Sequence, residues 1–244
     1  MSGVKYIVAC GLVLASSQFY HSYRQAKESE LKELYRETLD KANLLKQIHN
    51  KIAPKWDYEQ NSYEWAKRID KYRKILCSYA EGKVLEVGVG TGSNFEYYPR
   101  GVRVIGVDWS PDMLKECNSK PKGKLKNVTL AEMDAKSLSF SDELFDTVVA
   151  TFVLSSTDNP SAVIKEMIRV CKPNGTILIL DRGKGEGVLT NIHLSLYRYK
   201  NLFKFGYDQC TNIKKIIDAA PVKIEIEERK QGGHIYFYLL KKIT

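Results

Sequence analysis

The sequence predicts an α/β fold, a mostly parallel sheet wound on both faces by helices. Two observations carry this. Short apolar runs (Val84–Val87, Val104–Asp108, Val128–Glu132, Phe145–Phe152, Thr176–Leu180) alternate with helix-prone stretches, the pattern of buried parallel strands joined by helical crossovers. The first run also opens into the glycine-rich turn Gly88-Val89-Gly90-Thr91-Gly92, where a chain leaving a strand approaches a ligand closely. With 244 residues, 43% hydrophobic and 27% charged, the chain suits one domain with a modest extension, and neither disorder nor several membrane spans is indicated.

In chain order, residues 1–23 come first. Between Lys5 and Arg24 lie eighteen residues without Asp, Glu, Lys or Arg, with Tyr6, Phe19, Tyr20 and Tyr23 near the ends. That is close to the shortest span that crosses a bilayer, with aromatic residues where an interfacial belt would place them. The expectation is a short or tilted membrane anchor; a cleaved secretory signal and a mitochondrial presequence are the alternatives. Residues 24–54 are charged and helix-prone, and Pro54 closes a predicted linker helix. The remaining body, residues 55–244, is expected to hold the site.

In that body Lys83–Val87 reads as a strand and Gly88–Gly92 as a tight turn, with a helix expected to start near Ser93. Such a turn can hold a phosphate. A dinucleotide site, however, needs glycine where Ser93 stands, and Glu86 just before the first glycine favours a cationic ligand. The strand Val104–Asp108 ends in an acid that can accept both hydroxyls of a ribose, and Trp109 beside it can lie against an adenine. A helix follows with Ser110 as cap and Pro111 at its first position. The third strand leads to Met133-Asp134-Ala135, and Asp134 there serves equally well as a helix cap. The fourth strand ends at Phe152, which also fits a plain core aromatic, and the turn Lys172-Pro173-Asn174-Gly175 precedes the fifth.

Taken together, the glycine loop, the acid after the second strand, the Asp after the third and the Pro-x-Gly turn make the stretch Gly82–Asp181 resemble the class I S-adenosylmethionine (SAM)-dependent methyltransferases. The resemblance implies a Rossmann-like, doubly wound, seven-stranded sheet, with Val222–Glu228 and His234–Leu240 as the closing pair, and SAM as cofactor. It implies that Glu86, Gly88, Gly90, Thr91 and Gly92 hold the methionine part and Asp108 the ribose. Trp109, Met133, Asp134 and Ala135 would hold the adenine, with Phe152 near the sulfonium. Within that family the chain looks most like membrane-anchored methyltransferase-like proteins, including small-thiol enzymes of endoplasmic reticulum and a mitochondrial inner-membrane branch. The segments Tyr97-Tyr98-Pro99, Phe152–Ser156 and Phe205–Thr211 carry that likeness. Upstream, Ala53-Pro54-Lys55-Trp56-Asp57 is similar to a motif of the quinone C-methyltransferases, with Trp56 where they have Tyr.

Arg182–Tyr207 shows no strand pattern and threads apolar residues with Arg198, Lys200 and Lys204. An insert in that place is expected to shape an acceptor pocket or to lie on a membrane. His193, the one His there, reads first as an ordinary surface or packing histidine and second as a candidate base. Displacement of a methyl from a sulfonium needs mainly alignment, so no catalytic residue is singled out. The expected acceptor is a small or lipophilic thiol or phenol reached from the membrane. The rival reading keeps the fold as a structural or assembly subunit of a mitochondrial membrane complex.

The net charge of +9 flanks the middle of the chain, and the flanks interleave both signs without a nucleic-acid-binding motif, so nucleic acid is not an expected partner. The five cysteines are scattered, with no pair or His at metal-ligand spacing, which predicts reduced buried thiols and no metal site. For localisation the mitochondrial inner membrane is the first expectation and the endoplasmic reticulum the second.

Overall fold

A computed structural model describes residues 22–60, 68–123, 125 and 127–243. Most of the apolar N-terminal run, through residue 21, lies outside the described residues; among those described, no helix is long and apolar enough to cross a membrane.

The stretch expected as one linker helix is two. Residues 22–37 form α1, the chain bends at 38–40, and Lys41–Ile52 form α2. The break is local in origin: the Asp40 side chain accepts from the Asn43 N–H at 2.9 Å, which caps a new helix. A 3-10 turn, Ala53–Lys55, follows with Pro54 inside it. Next come α3 (Ile69–Ser78), β1 (Lys83–Val87), β2 (Arg103–Asp108), α4 (Pro111–Ser119), β3 (Val128–Glu132), β4 (Phe145–Thr151), α5 (Pro160–Val170) and β5 (Cys171–Arg182). The insert resolves into α6 (Val188–Ser195) and α7 (Arg198–Phe205). The chain ends with α8 (Ile213–Asp218), β6 (Val222–Lys230) and β7 (Ile235–Lys242).

The seven strands are ordered β3-β2-β1-β4-β5-β7-β6. The first five pair in parallel and β7 runs antiparallel to both neighbours. Apolar side chains cover both faces. One core joins Leu85, Val87, Phe145 and Val148 to Met167 of α5 and Ile217 of α8; the other joins Val84, Val104 and Leu178 to Leu76 of α3 and Cys117 of α4. This two-sided burial is why the inner strands read as continuous apolar runs rather than alternating ones. The order reverses between β1 and β4, and a sheet of this kind holds ligands beyond the carboxyl ends of the strands at that point.

Two local expectations differ from the structure. No helix starts near Ser93: residues 93–97 are successive turns that end at Pro99. The Asn94 side chain points inward, donating to Glu86 Oε1 at 2.9 Å, and the Phe95 and Tyr98 rings are buried beside it. The turn at Lys172–Gly175 lies inside β5 rather than before it, with Asn174 at φ 59° and a register shift against β4.

Candidate cofactor site and acceptor chamber

Beyond the carboxyl ends of β1, β2 and β4 lies a cavity. Its floor is the glycine loop. Gly88, Gly90 and Gly92 all have positive φ (63°, 53° and 82°), a conformation side chains resist. At Gly90 an added Cβ would meet nothing within 4 Å and would stand in open cavity, so the backbone there is bare toward a ligand. Gly88 and Gly92 face inward instead, against Val153 and against Phe95 and Cys117.

Asp108 ties this loop to β2. Its Oδ2 accepts from the Gly90 N–H and its Oδ1 from the Ser110 N–H, both at 2.9 Å. Burial raises its carboxyl from the ordinary value to about 6, against the pull of those N–H donors. Each oxygen keeps a further lone pair, so the group remains an acceptor for a diol.

Trp109, Met133, Asp134 and Ala135 line the same cavity. Asp134 also accepts from the Lys136 N–H at 2.9 Å, so it caps a turn and faces the cavity at once. Thr91 lines it as well, and its hydroxyl donates to Asp57 Oδ1 at 2.7 Å. Lys120 pairs with the other oxygen of Asp57. Trp56 stands in the wall beside them.

Glu86 is placed differently from the other expected residues. It is 1% exposed and lies behind the loop, accepting from Asn94 Nδ2 and from the Tyr98 hydroxyl, each at 2.9 Å. Burial raises its carboxyl to about 7. It supports the loop from below, and like Gly92 it forms no part of the cavity lining.

Phe152 closes the far side. It sits at φ 60°, a conformation a non-glycine residue adopts at a cost of about 1 to 3 kcal/mol. Its ring is flanked by the Arg73 guanidinium at 5.2 Å and by that of Arg182 at 4.3 Å. Arg182 also lines a second chamber, together with Leu194, Tyr197, Phe205 and Tyr207 of the insert and the segment after it and with polar side chains such as Gln60, Asn201 and Gln209. His193 and His234 line this chamber, not the cofactor cavity.

The chemistry suits a nucleoside sulfonium: bare backbone at Gly90, a buried acid hydrogen-bonded to the loop, and an aromatic beside the acid. Comparison with known proteins agrees. A family model described as a methyltransferase domain matches residues 85–179. The chain is 41% identical over 151 residues to a phosphatidylethanolamine N-methyltransferase of Cereibacter sphaeroides, covering 61% of this chain and 72% of that one. The chain belongs to the class I SAM-dependent methyltransferases.

Other relatives agree. The ubiquinone/menaquinone biosynthesis C-methyltransferase UbiE of Idiomarina loihiensis is 30% identical, over 68% of this chain and 70% of its own. The mitochondrial methyltransferase OMS1 of Saccharomyces cerevisiae is 27% identical over 80% of this chain, which spans 48% of that protein. Among solved structures, a SAM-dependent methyltransferase of Thermotoga maritima shares the fold, with a TM-score of 0.63 and 18% identity over 82% of this chain and all of that one (100%).

Several residues of the methyltransferase site carry no motif. Arg73, 6% exposed, donates to Asn94 Oδ1 at 2.8 Å and Thr151 Oγ1 at 3.0 Å, tying α3 to the loop and to β4. His49 of α2 accepts from Trp109 Nε1 at 3.0 Å, and its imidazole bonds to the backbone of Phe205 and Gly206. Burial holds that imidazole neutral, pushed down to about 4. Asn50 receives the Ser110 hydroxyl at 2.6 Å. The segment before residue 55 is therefore the roof of the cofactor cavity; its apolar spacing signalled a buried face but not what that face covers.

Proposed function

We propose that this methyltransferase alkylates a lipophilic acceptor taken from a membrane, and that an aminophospholipid is the first acceptor to test. The observation that carries the reading is the second chamber, where Leu194, Tyr197, Phe205 and Tyr207 stand among polar side chains and Arg182 reaches over the Phe152 ring of the cofactor cavity. SAM in the first cavity supplies an electrophilic methyl on sulfur. The chain's part is to bring a nucleophile past Phe152 into line with it and to exclude water, and reacting atoms held about 3 to 3.5 Å apart need little more. An amine must arrive neutral, and His193 and His234 line the chamber as groups able to take its proton. A thiolate or phenolate needs no such help. The phosphatidylethanolamine enzyme among the relatives supports the amine. A quinol is the second reading, favoured by Asp57 bound to Thr91 within the segment similar to the quinone enzymes, and weakened by Trp56, which stands in the cofactor wall where those enzymes have Tyr.

The test is transfer of labelled methyl from SAM to vesicles holding phosphatidylethanolamine and a long-chain quinol. Label in the phospholipid fraction is expected. Label in the quinol favours the second reading, and label only in a water-soluble thiol sinks the membrane acceptor.

For localisation we propose the mitochondrial inner membrane, with the endoplasmic reticulum second. The uncharged run Tyr6–Tyr23 and the mitochondrial relative support this. Release of the full chain by carbonate washing would count against an integral anchor.

A further inference from the structure

Helix α6 presents its chemistry inside out. Leu194 is buried, and Thr190, His193 and Leu194 line the second chamber. Val188, Leu189, Ile192 and Leu196 at its surface are 76%, 83%, 51% and 43% exposed. At about 100° per residue these four fall within one sector roughly 100° wide, where a helix facing water carries polar groups. Four neighbouring apolar side chains on one helix face are more than scattered surface hydrophobics.

A second observation says what covers that face. Just past the end of α6, the Tyr197 hydroxyl accepts from Arg24 Nη1 at 2.9 Å, and the Arg24 guanidinium lies 4.0 Å from the Tyr197 ring centre. The contact is reinforced by Tyr35, whose ring stands 6.0 Å from Tyr199 and 6.4 Å from Phe203. Arg24 is the first charged residue after the uncharged run from Tyr6 to Tyr23, and Tyr23 is 62% exposed. The most apolar stretch of the sequence therefore joins the body beside the most apolar exposed helix of the structure. Lys184 before α6 and Lys200 after it are exposed, as residues flanking an interfacial helix are when they sit among lipid head groups.

We propose that α6 lies in the interfacial layer of a phospholipid bilayer, its Val188–Leu189–Ile192–Leu196 face among the acyl chains. One helix is then both the membrane contact and a wall of the acceptor chamber, so a membrane-dissolved acceptor enters beside it. The proposal rests on the membrane-acceptor reading, but its test reads depth and not turnover.

The test uses the full chain with Leu189→Trp, with Ile192→Trp as a second reporter and Lys115→Trp, exposed on α4, as control. Each is mixed with vesicles of phosphatidylcholine brominated on its acyl chains; retained SAM binding certifies the fold. Both insert reporters are expected to lose at least half of their added indole emission, and the control none. Vesicle-bound protein with unquenched insert reporters overturns the proposal, and so does protein that does not bind vesicles. A lipid-independent blue shift that grows with protein concentration overturns it too, assigning the face to a second copy of the chain. Labelled methyl transfer to phosphatidylethanolamine, run in vesicles and in detergent, separates the two readings. Absent quenching with transfer intact removes only the bilayer contact of α6. Quenching without transfer removes only the acceptor.

Discussion

On the cofactor side of Phe152 the wall is a backbone loop braced by buried polar groups: Asp108 on two N–H groups, Glu86 on Asn94 and Tyr98, Arg73 on Asn94 and Thr151. On the far side the wall is two short helices held by partly exposed contacts. Arg198 pairs with Asp208 at 2.5 Å, Lys204 with Glu59 at 2.7 Å, and Asn201 donates to Gln209 at 2.9 Å. Buried charge-assisted bonds lose much when broken, whereas exposed ion pairs contribute roughly 0 to 1 kcal/mol each. The first wall is held by buried polar contacts and the second by partly exposed ones, with His49 touching both. On the proposed reading, substrate choice resides in side chains on the insert and cofactor choice in backbone.

The hardest test of that division is Gly90→Val. A branched side chain there is disfavoured at φ 53° and projects into the cavity, where nothing else stands within 4 Å of the new Cβ. SAM affinity should fall more than about 100-fold by calorimetry, while the melting temperature falls only as far as about 1 to 3 kcal/mol of backbone strain requires. Near-normal affinity would show that the bare loop is not where the cofactor lies. Asp108→Ala should weaken SAM about 10- to 100-fold, as loss of a charged acceptor worth about 1.5 to 3 kcal/mol implies. An unchanged dissociation constant would remove Asp108 from the ribose.

The same division explains what could be read from the sequence. Gly88–Thr91, Asp108 and Met133–Ala135 line the cavity where the sequence places them, because each follows the end of a strand and the strand pattern locates it. Phe152 was legible as a position but not as a partition, since the rings and guanidiniums around it come from α3, β5 and the segment after α7. Arg73 was silent because its partners are 21 and 78 residues away. His49 was silent for a like reason, with Trp109 sixty residues on. Nothing in Glu86's own segment announces that Tyr98 and Asn94 bond its two oxygens and that it stands outside the cavity lining. The two-helix form of residues 24–54 turns on one cap, Asp40, in a stretch whose apolar spacing continues through the break.

Acidity offers a finer probe. Asp108 must be ionised to accept a diol with both oxygens, and its carboxyl stands near 6 in the folded chain, above the ordinary 3.8. SAM affinity should therefore decline as pH falls below about 6, by up to tenfold per unit, and Asp108→Asn should flatten that slope. The stability contribution has the opposite sign. A carboxyl raised by folding favours the folded state most when protonated, so its contribution is complete below about 3.8 and lost as pH rises through 6. Affinity and melting temperature measured together between pH 5 and 7 should part company, and a parallel fall of both would assign the effect to general unfolding.

The smallest expected effect is also the one that crosses the division. His49 accepts from Trp109 on the cofactor side and bonds the backbone at Phe205 and Gly206 on the acceptor side, where a Cβ on Gly206 would come within 2.3 Å of its Nε2. It thereby joins the lining of the cofactor cavity to the wall of the second chamber. His49→Phe keeps a ring of similar size and removes both bonds, each worth about 0.5 to 1.5 kcal/mol net. SAM affinity should fall about threefold, and amide exchange across residues 198–206 should quicken in the SAM-bound protein, losing the protection that SAM confers on wild type. A control at Arg198→Met loosens the same helix through Asp208 and should quicken exchange without touching SAM affinity. If His49→Phe behaves like that control, the two walls are independent and the histidine merely fills space between them.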